Sequence, residues 1–104
     1  MLRSLALITV AALAAASAAA QTTDLVAYKG TNAIRLTDAA CTDATVLERI
    51  DPEARPYFRS AWATVNGKRY NACWGALPVA VLLVYEDGDQ GMVPLSALQV
   101  PVDI

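Results

Sequence analysis

The spacing of apolar and polar residues changes rhythm several times along this chain, and each change predicts an element. Residues 25–28 are a short apolar run, 29–32 carry turn residues, and 33–37 alternate, which predicts a hairpin. Thr45-Val46-Leu47-Glu48 has the form of a capping box, and Val46, Leu47 and Ile50 give an apolar side, so a helix is predicted to start there. Asp51-Pro52 is a second helix start, and Pro56 would break a bond inside a continuous rod. Residues 45–61 therefore read as one interrupted helical segment.

The next stretch is a hairpin centred on Asn66-Gly67, a pair suited to the two-residue type I′ turn. That turn sets the register: Val65 faces Lys68, Ala63 faces Tyr70, and Ala61 faces Ala72. One face then holds Ala61, Ala63, Val65, Tyr70, Ala72 and Trp74, the candidate core. The other holds Trp62, Thr64, Arg69, Asn71 and Cys73. Residues 79–85 are continuously apolar and rich in Val, which predicts a strand buried on both faces and central in its sheet. An Asp87-Gly88 turn and a strand over 90–93 follow, Pro94 ends that strand, and residues 95–98 suit one helical turn. The expected fold class is α+β: a small, mainly antiparallel sheet with one interrupted helical segment packed on it.

The start of the chain changes the picture of where this domain works. Met1-Leu2-Arg3-Ser4 is short and positively charged, residues 5–16 are apolar, and Ser17-Ala18-Ala19-Ala20 offers small residues before Gln21. This pattern predicts a secretory signal peptide over residues 1–20, cleaved between Ala20 and Gln21. The apolar run is about 12 residues, short of the roughly 20 that span a bilayer as a helix. Gln21 stands where a lipoprotein would carry Cys. The expected product is one small domain over residues 21–104, periplasmic or secreted, with no membrane attachment after cleavage.

Two cysteines fit that address. In an exported domain this small, Cys41 and Cys73 predict a structural disulfide, and their wide spacing is unlike a redox C-x-x-C pair. Closing a loop of about 32 residues would contribute about 3–4 kcal/mol in the chain-entropy account. After removal of residues 1–20, seven basic side chains face ten acidic ones, a net charge of −3. A mildly acidic domain without a basic stripe is a poor nucleic-acid binder, whereas a basic protein partner is electrostatically easier.

Candidate chemistry is sparse. The chain has no His, so the usual base of Ser and Cys hydrolases and the commonest zinc ligand are missing. Ser60 and Ser96 lie outside any G-x-S-x-G setting, and no Gly-rich phosphate loop occurs. No cofactor is expected. Glu86, Asp87 and Asp89 bunch at a turn, where they read as a solvated hairpin tip or as oxygen ligands for Ca²⁺, without EF-hand spacing. Trp62 and Arg69, diagonal neighbours in the hairpin register, are the candidate binding residues, since both types are enriched in interface hot spots. The other reading packs Trp62 under the helical segment beside the disulfide.

Two resemblances follow. Gln90-Gly91-Met92-Val93-Pro94-Leu95-Ser96-Ala97-Leu98 resembles the last strand and following turn of SH3-like domains, though a central helix does not fit that family. The spread of Cys41, Asn66-Gly67-Lys68, Tyr70, Ala72-Cys73-Trp74, Asp87-Gly88-Asp89 and Pro94-Leu95-Ser96 is similar to small exported proteins of proteobacteria and their phages. That group brings no catalytic residues to carry over. The expected function is a non-enzymatic periplasmic binding domain, such as an inhibitor or accessory factor of a basic cell-envelope enzyme. The alternatives are a small envelope enzyme working through carboxylates, and a structural component of the envelope.

Overall fold

The computed structural model describes residues 23–102, so the leader expected over residues 1–20 lies outside the described residues. Six strands run in chain order: β1 (Leu25–Lys29), β2 (Asn32–Ala40), β3 (Arg59–Val65), β4 (Lys68–Ala76), β5 (Ala80–Tyr85) and β6 (Gln90–Pro94). Each pairs antiparallel with the next, giving one meandering sheet. Three tight turns therefore lie at one end of the sheet, between β1 and β2, β3 and β4, and β5 and β6. The middle turn behaves as expected: Asn66 has φ 52° and Gly67 φ 79°, the two positive angles of type I′. The third closes through Gly88 N–H donating to Tyr85 O at 2.9 Å and Tyr85 N–H to Asp89 O at 2.8 Å. Gly88, at φ 95°, there supplies the left-handed residue of a three-residue hairpin.

The sheet curls into a half-barrel. Its concave side gathers Ala27, Leu36, Ala61, Ala72, Leu83 and Val93, so all six strands share one core. Behind β6, a 3-10 turn at Leu95–Ala97 brings the chain back to β1. There Val26 and Gln99 exchange N–H···O bonds of 2.9 Å in both directions. This single bridge ties the two edges of the sheet at the end opposite the hairpin turns. Leu36 and Leu83 are at most 1% exposed, and full burial of such a side chain contributes about 1.5–3 kcal/mol.

The same end is filled by Trp74. Its indole N–H donates to Thr37 O at 2.9 Å. β2 bulges between Leu36 and Ala40, where its register on β3 shifts. The groups freed by the bulge find partners: Thr37 Oγ1 meets the Ser60 hydroxyl, and Arg59 Nη1 donates to Asp38 O at 2.7 Å. At the hairpin end Ala63 is small, and Ile34, Tyr70 and Tyr85 stand around an opening that they do not fill.

The helical expectation needs correction. Within residues 45–61 the α-helix is confined to α1 (Ala44–Leu47), and one 3-10 turn follows at Arg55–Tyr57. Asp43, not Thr45, caps α1, accepting from Val46 N–H at 3.2 Å. Residues 59–61 are strand, because Arg59, Ser60 and Ala61 extend the β3 ladder against Trp74, Cys73 and Ala72. Besides its helix and turn bonds, the segment is held by Arg55, whose Nε donates to Leu47 O at 2.7 Å and Ile50 O at 2.9 Å. The mainly antiparallel sheet is as expected, but with so little helix the molecule is not clearly α+β. The segment does cover the convex side. Val46 and Ile50 pack with Cys41, Cys73 and Val84 in a second core, and Cys41–Cys73 is disulfide-bonded with Cα atoms 5.7 Å apart.

β5 is accordingly buried on both faces, with Val81 and Leu83 turned inward and Val84 outward. It is not central, however, since only β6 follows it in the sheet. Val79, expected in the strand, is 77% exposed just before it. Ala61, Ala63 and Ala72 are core as expected, whereas Val65 is exposed at the hairpin end.

Candidate functional site

Two surfaces combine unusual side chains, and strand register builds both. On the convex side, β3 presents Trp62 between Arg35 of β2, its direct partner, and Asn71 of β4. Arg69 sits two residues from Asn71 on the same face. Its guanidinium carbon stands 4.1 Å from the centre of the Trp62 ring. From the other strand, the Arg35 guanidinium carbon stands 6.0 Å from the same ring. The result is a three-rung ladder, Arg35–Trp62–Arg69, across three strands.

The two cations are not equivalent. Arg35 Nε donates to Asp24 Oδ2 at 2.8 Å, which anchors it as an ion pair. Arg69 is exposed, and among the described residues no carboxylate lies within salt-bridge distance of it. Stacking on a ring orients the guanidinium while leaving its N–H edge open to an acceptor. Beside the ladder, Thr42, Asp43, Ser60 and Asn71 join Trp62 and Arg69 around a shallow groove of about 290 Å³. Trp62 is half-buried and belongs to neither core. It lies beside the start of the 41–58 segment and not under it.

Sequence reasoning brought Trp62 and Arg69 together through the Asn66-Gly67 turn. It did not find Arg35, because the pairing of β2 with β3 crosses the 41–58 segment and no local turn sets it.

The second surface is the open hairpin end of the half-barrel. A cleft of about 480 Å³ runs in from the rim between β1 and β6, over Ile34, Ala63 and Val93. It shares Ala63, Val65 and Tyr85 with a smaller hollow of about 280 Å³, which adds Tyr70, Asp87 and Asp89. Burial pushes the Tyr85 hydroxyl above the ordinary tyrosine value of 10.0, and the Asp87 and Asp89 carboxylates push it the same way. Asp87 Oδ1 accepts from Asp89 N–H at 2.9 Å, which shapes the turn. Arg49 approaches Gly88 from the convex side, its Nη1 placed 2.8 Å from where a Cβ would stand. Among the described residues, no three Asp, Glu, Cys or His side chains converge to hold a metal ion, Glu86, Asp87 and Asp89 included. No described helix is long and apolar enough to cross a membrane. No protein-family profile, curated protein or solved structure matches the chain.

Proposed function

We propose that this chain is an exported binding domain, an inhibitor or accessory factor for a cell-envelope protein, and that Trp62 and Arg69 are its contact residues. The observation that carries this reading is the exposed Arg69 guanidinium, stacked at 4.1 Å on the Trp62 ring with its N–H edge open. A partner docking there gains apolar area from the indole and charge-assisted hydrogen bonds from the guanidinium. The two cations set the local chemistry. The partner group on the ladder is a carboxylate or another strong acceptor, even where net charge favours a basic protein overall.

The test is capture from periplasmic extract on immobilised wild type, Trp62→Ala and Arg69→Ala. A protein held by the wild type and lost from both variants supports the reading, provided both variants keep a cooperative melt. An unchanged set of captured proteins sinks it. Export is a separate element of the proposal, resting on the Ala18-Ala19-Ala20-Gln21 pattern. Intact-mass measurement on the periplasmic fraction is expected to give a chain starting at Gln21. A membrane-bound chain retaining Met1 would contradict it.

A further inference from the structure

The open hairpin end differs chemically from the ladder and faces another direction. Its smaller hollow is walled by two phenol rings, Tyr70 and Tyr85, and two carboxylates, Asp87 and Asp89, with no cation among its lining residues. Among the described residues neither carboxylate has an ion-pair partner. Aromatic faces beside carboxylates attract an ammonium or guanidinium group. The protein supplies its own example at this rim: Lys68 Nζ stands 5.4 Å from the centre of the Tyr70 ring.

The larger cleft adds main-chain chemistry. Val26 turns its N–H and C=O away from β2, toward Gln99. In an antiparallel ladder such groups alternate, so Tyr28, two residues on, turns its N–H and C=O the same way. Among the described residues no chain bridges Tyr28, because the tie between the sheet edges stops at Val26. A free donor–acceptor pair therefore lies on the rim of an apolar cleft. That pairing suits an extended backbone, whose alternate side chains would enter the cleft.

We propose that the open end of the half-barrel binds an extended segment of a basic protein partner, with its main chain on the free edge at Tyr28 and a lysine or arginine side chain between Tyr85, Asp87 and Asp89. Apolar side chains flanking that cation would lie over Ile34, Ala63 and Val93. Charge complementarity selects this occupant: the domain is acidic overall, and the smaller hollow is lined by two carboxylates and no cation. The site stands independently of the ladder, so loss of Trp62 would leave it intact.

The probe is the capped tripeptide acetyl-Val-Lys-Val-amide, titrated into ¹⁵N-labelled protein, with norleucine in place of Lys as the isosteric neutral control. Saturable amide shifts are expected at residues 28–29, 63–65, 85 and 87–92. The norleucine peptide is expected to bind at least about fivefold more weakly. Asp87→Asn with Asp89→Asn is expected to cost the Lys peptide a similar factor and to leave the norleucine peptide unchanged. The amide oxygen introduced by Asp87→Asn can still accept the bond that shapes the turn, and an unchanged melting temperature shows that the fold is retained. Equal affinity for the two peptides would reduce the cleft to an apolar hollow and overturn the proposal. Shifts centred on Trp62 and Arg69, or no saturable shift, would overturn it too. The same amides shifting with protein concentration alone would assign the cleft to a second copy of the chain and would also overturn it.

Discussion

Arg69 lies diagonally across the β3–β4 ladder from Trp62, its guanidinium carbon 4.1 Å from the ring centre, and the Asn66-Gly67 turn puts it there. A shift of one residue at that turn would send the two side chains to opposite faces of the sheet. The contact is therefore a readout of register as well as a candidate docking feature. A double-mutant cycle over Trp62→Ala and Arg69→Ala is expected to give a coupling of about 0.5–1 kcal/mol in urea unfolding, the usual size for an exposed cation–π pair. A coupling of zero would show that the stack has no energetic content in solution.

Trp62→Ala alone is expected to cost about 1–2 kcal/mol, because a half-buried ring loses part of its area and its stacking partners. Truncating a core aromatic costs about 3–5 kcal/mol. Thermal or urea unfolding of this one variant separates the two. A loss in the larger range would return Trp62 to the core and remove the basis for the proposed contact face.

Gly67→Ala isolates backbone strain. No atom lies within 4 Å of the position a Cβ would take, so the only cost is φ at 79°. The expected loss is about 1 kcal/mol or more, since a left-handed position penalises Ala directly. Gly75→Ala is the contrasting case, because its Cβ would meet the Phe58 ring at 3.0 Å. There the cost comes from collision, and trimming Phe58 to Leu is expected to recover part of it, whereas no partner substitution would rescue Gly67→Ala. Denaturation midpoints of the three variants check this.

The Cys41–Cys73 bond joins the convex-side segment to β4. Cys73→Ala is expected to cost about 2–5 kcal/mol. Non-reducing peptide mapping of native protein checks the bond, and chemical denaturation with and without reductant checks its worth. Free thiols in native protein, or equal midpoints in the two conditions, would contradict the assignment.

Tyr85 predicts a pH dependence. Burial first, then Asp87 and Asp89, raise its pKa in the folded state above the ordinary 10.0. On raising pH, the unfolded chain then loses the phenol proton before the folded one does. The stabilisation is complete below pH 10 and is lost as pH climbs from 10.0 through the higher folded value. The urea midpoint of the wild type is expected to fall relative to that of Tyr85→Phe over that alkaline range. Parallel curves would show that the hydroxyl titrates alike in both states.

Local chemistry made the hairpins legible from sequence. Asn66-Gly67 specifies a turn, a turn specifies a register, and the register placed Ala61, Ala63 and Ala72 on the core face and Trp62 with Arg69 on the other. The interrupted helix was overestimated because capping and proline signals mark where helices can begin, not whether helix or ladder prevails. At residues 59–61 the ladder prevails through pairing with residues 72–74. The curl of the sheet was out of reach for a similar reason. It brings Val26 and Gln99 together in a bridge, and neither residue carries a local mark of it. The first and last hairpins already share one end of the meander, but the rim of Tyr28, Tyr85, Asp87 and Asp89 forms only once that curl sets them around one opening.

That same bridge decides how the domain could be mounted on a surface. β1 begins, and the stretch beyond Gln99 continues, at the end filled by Trp74, opposite the three hairpin turns. A tether attached on either side would hold the half-barrel by its stopped base and point the Tyr85 rim outward, like a cup fixed by its foot.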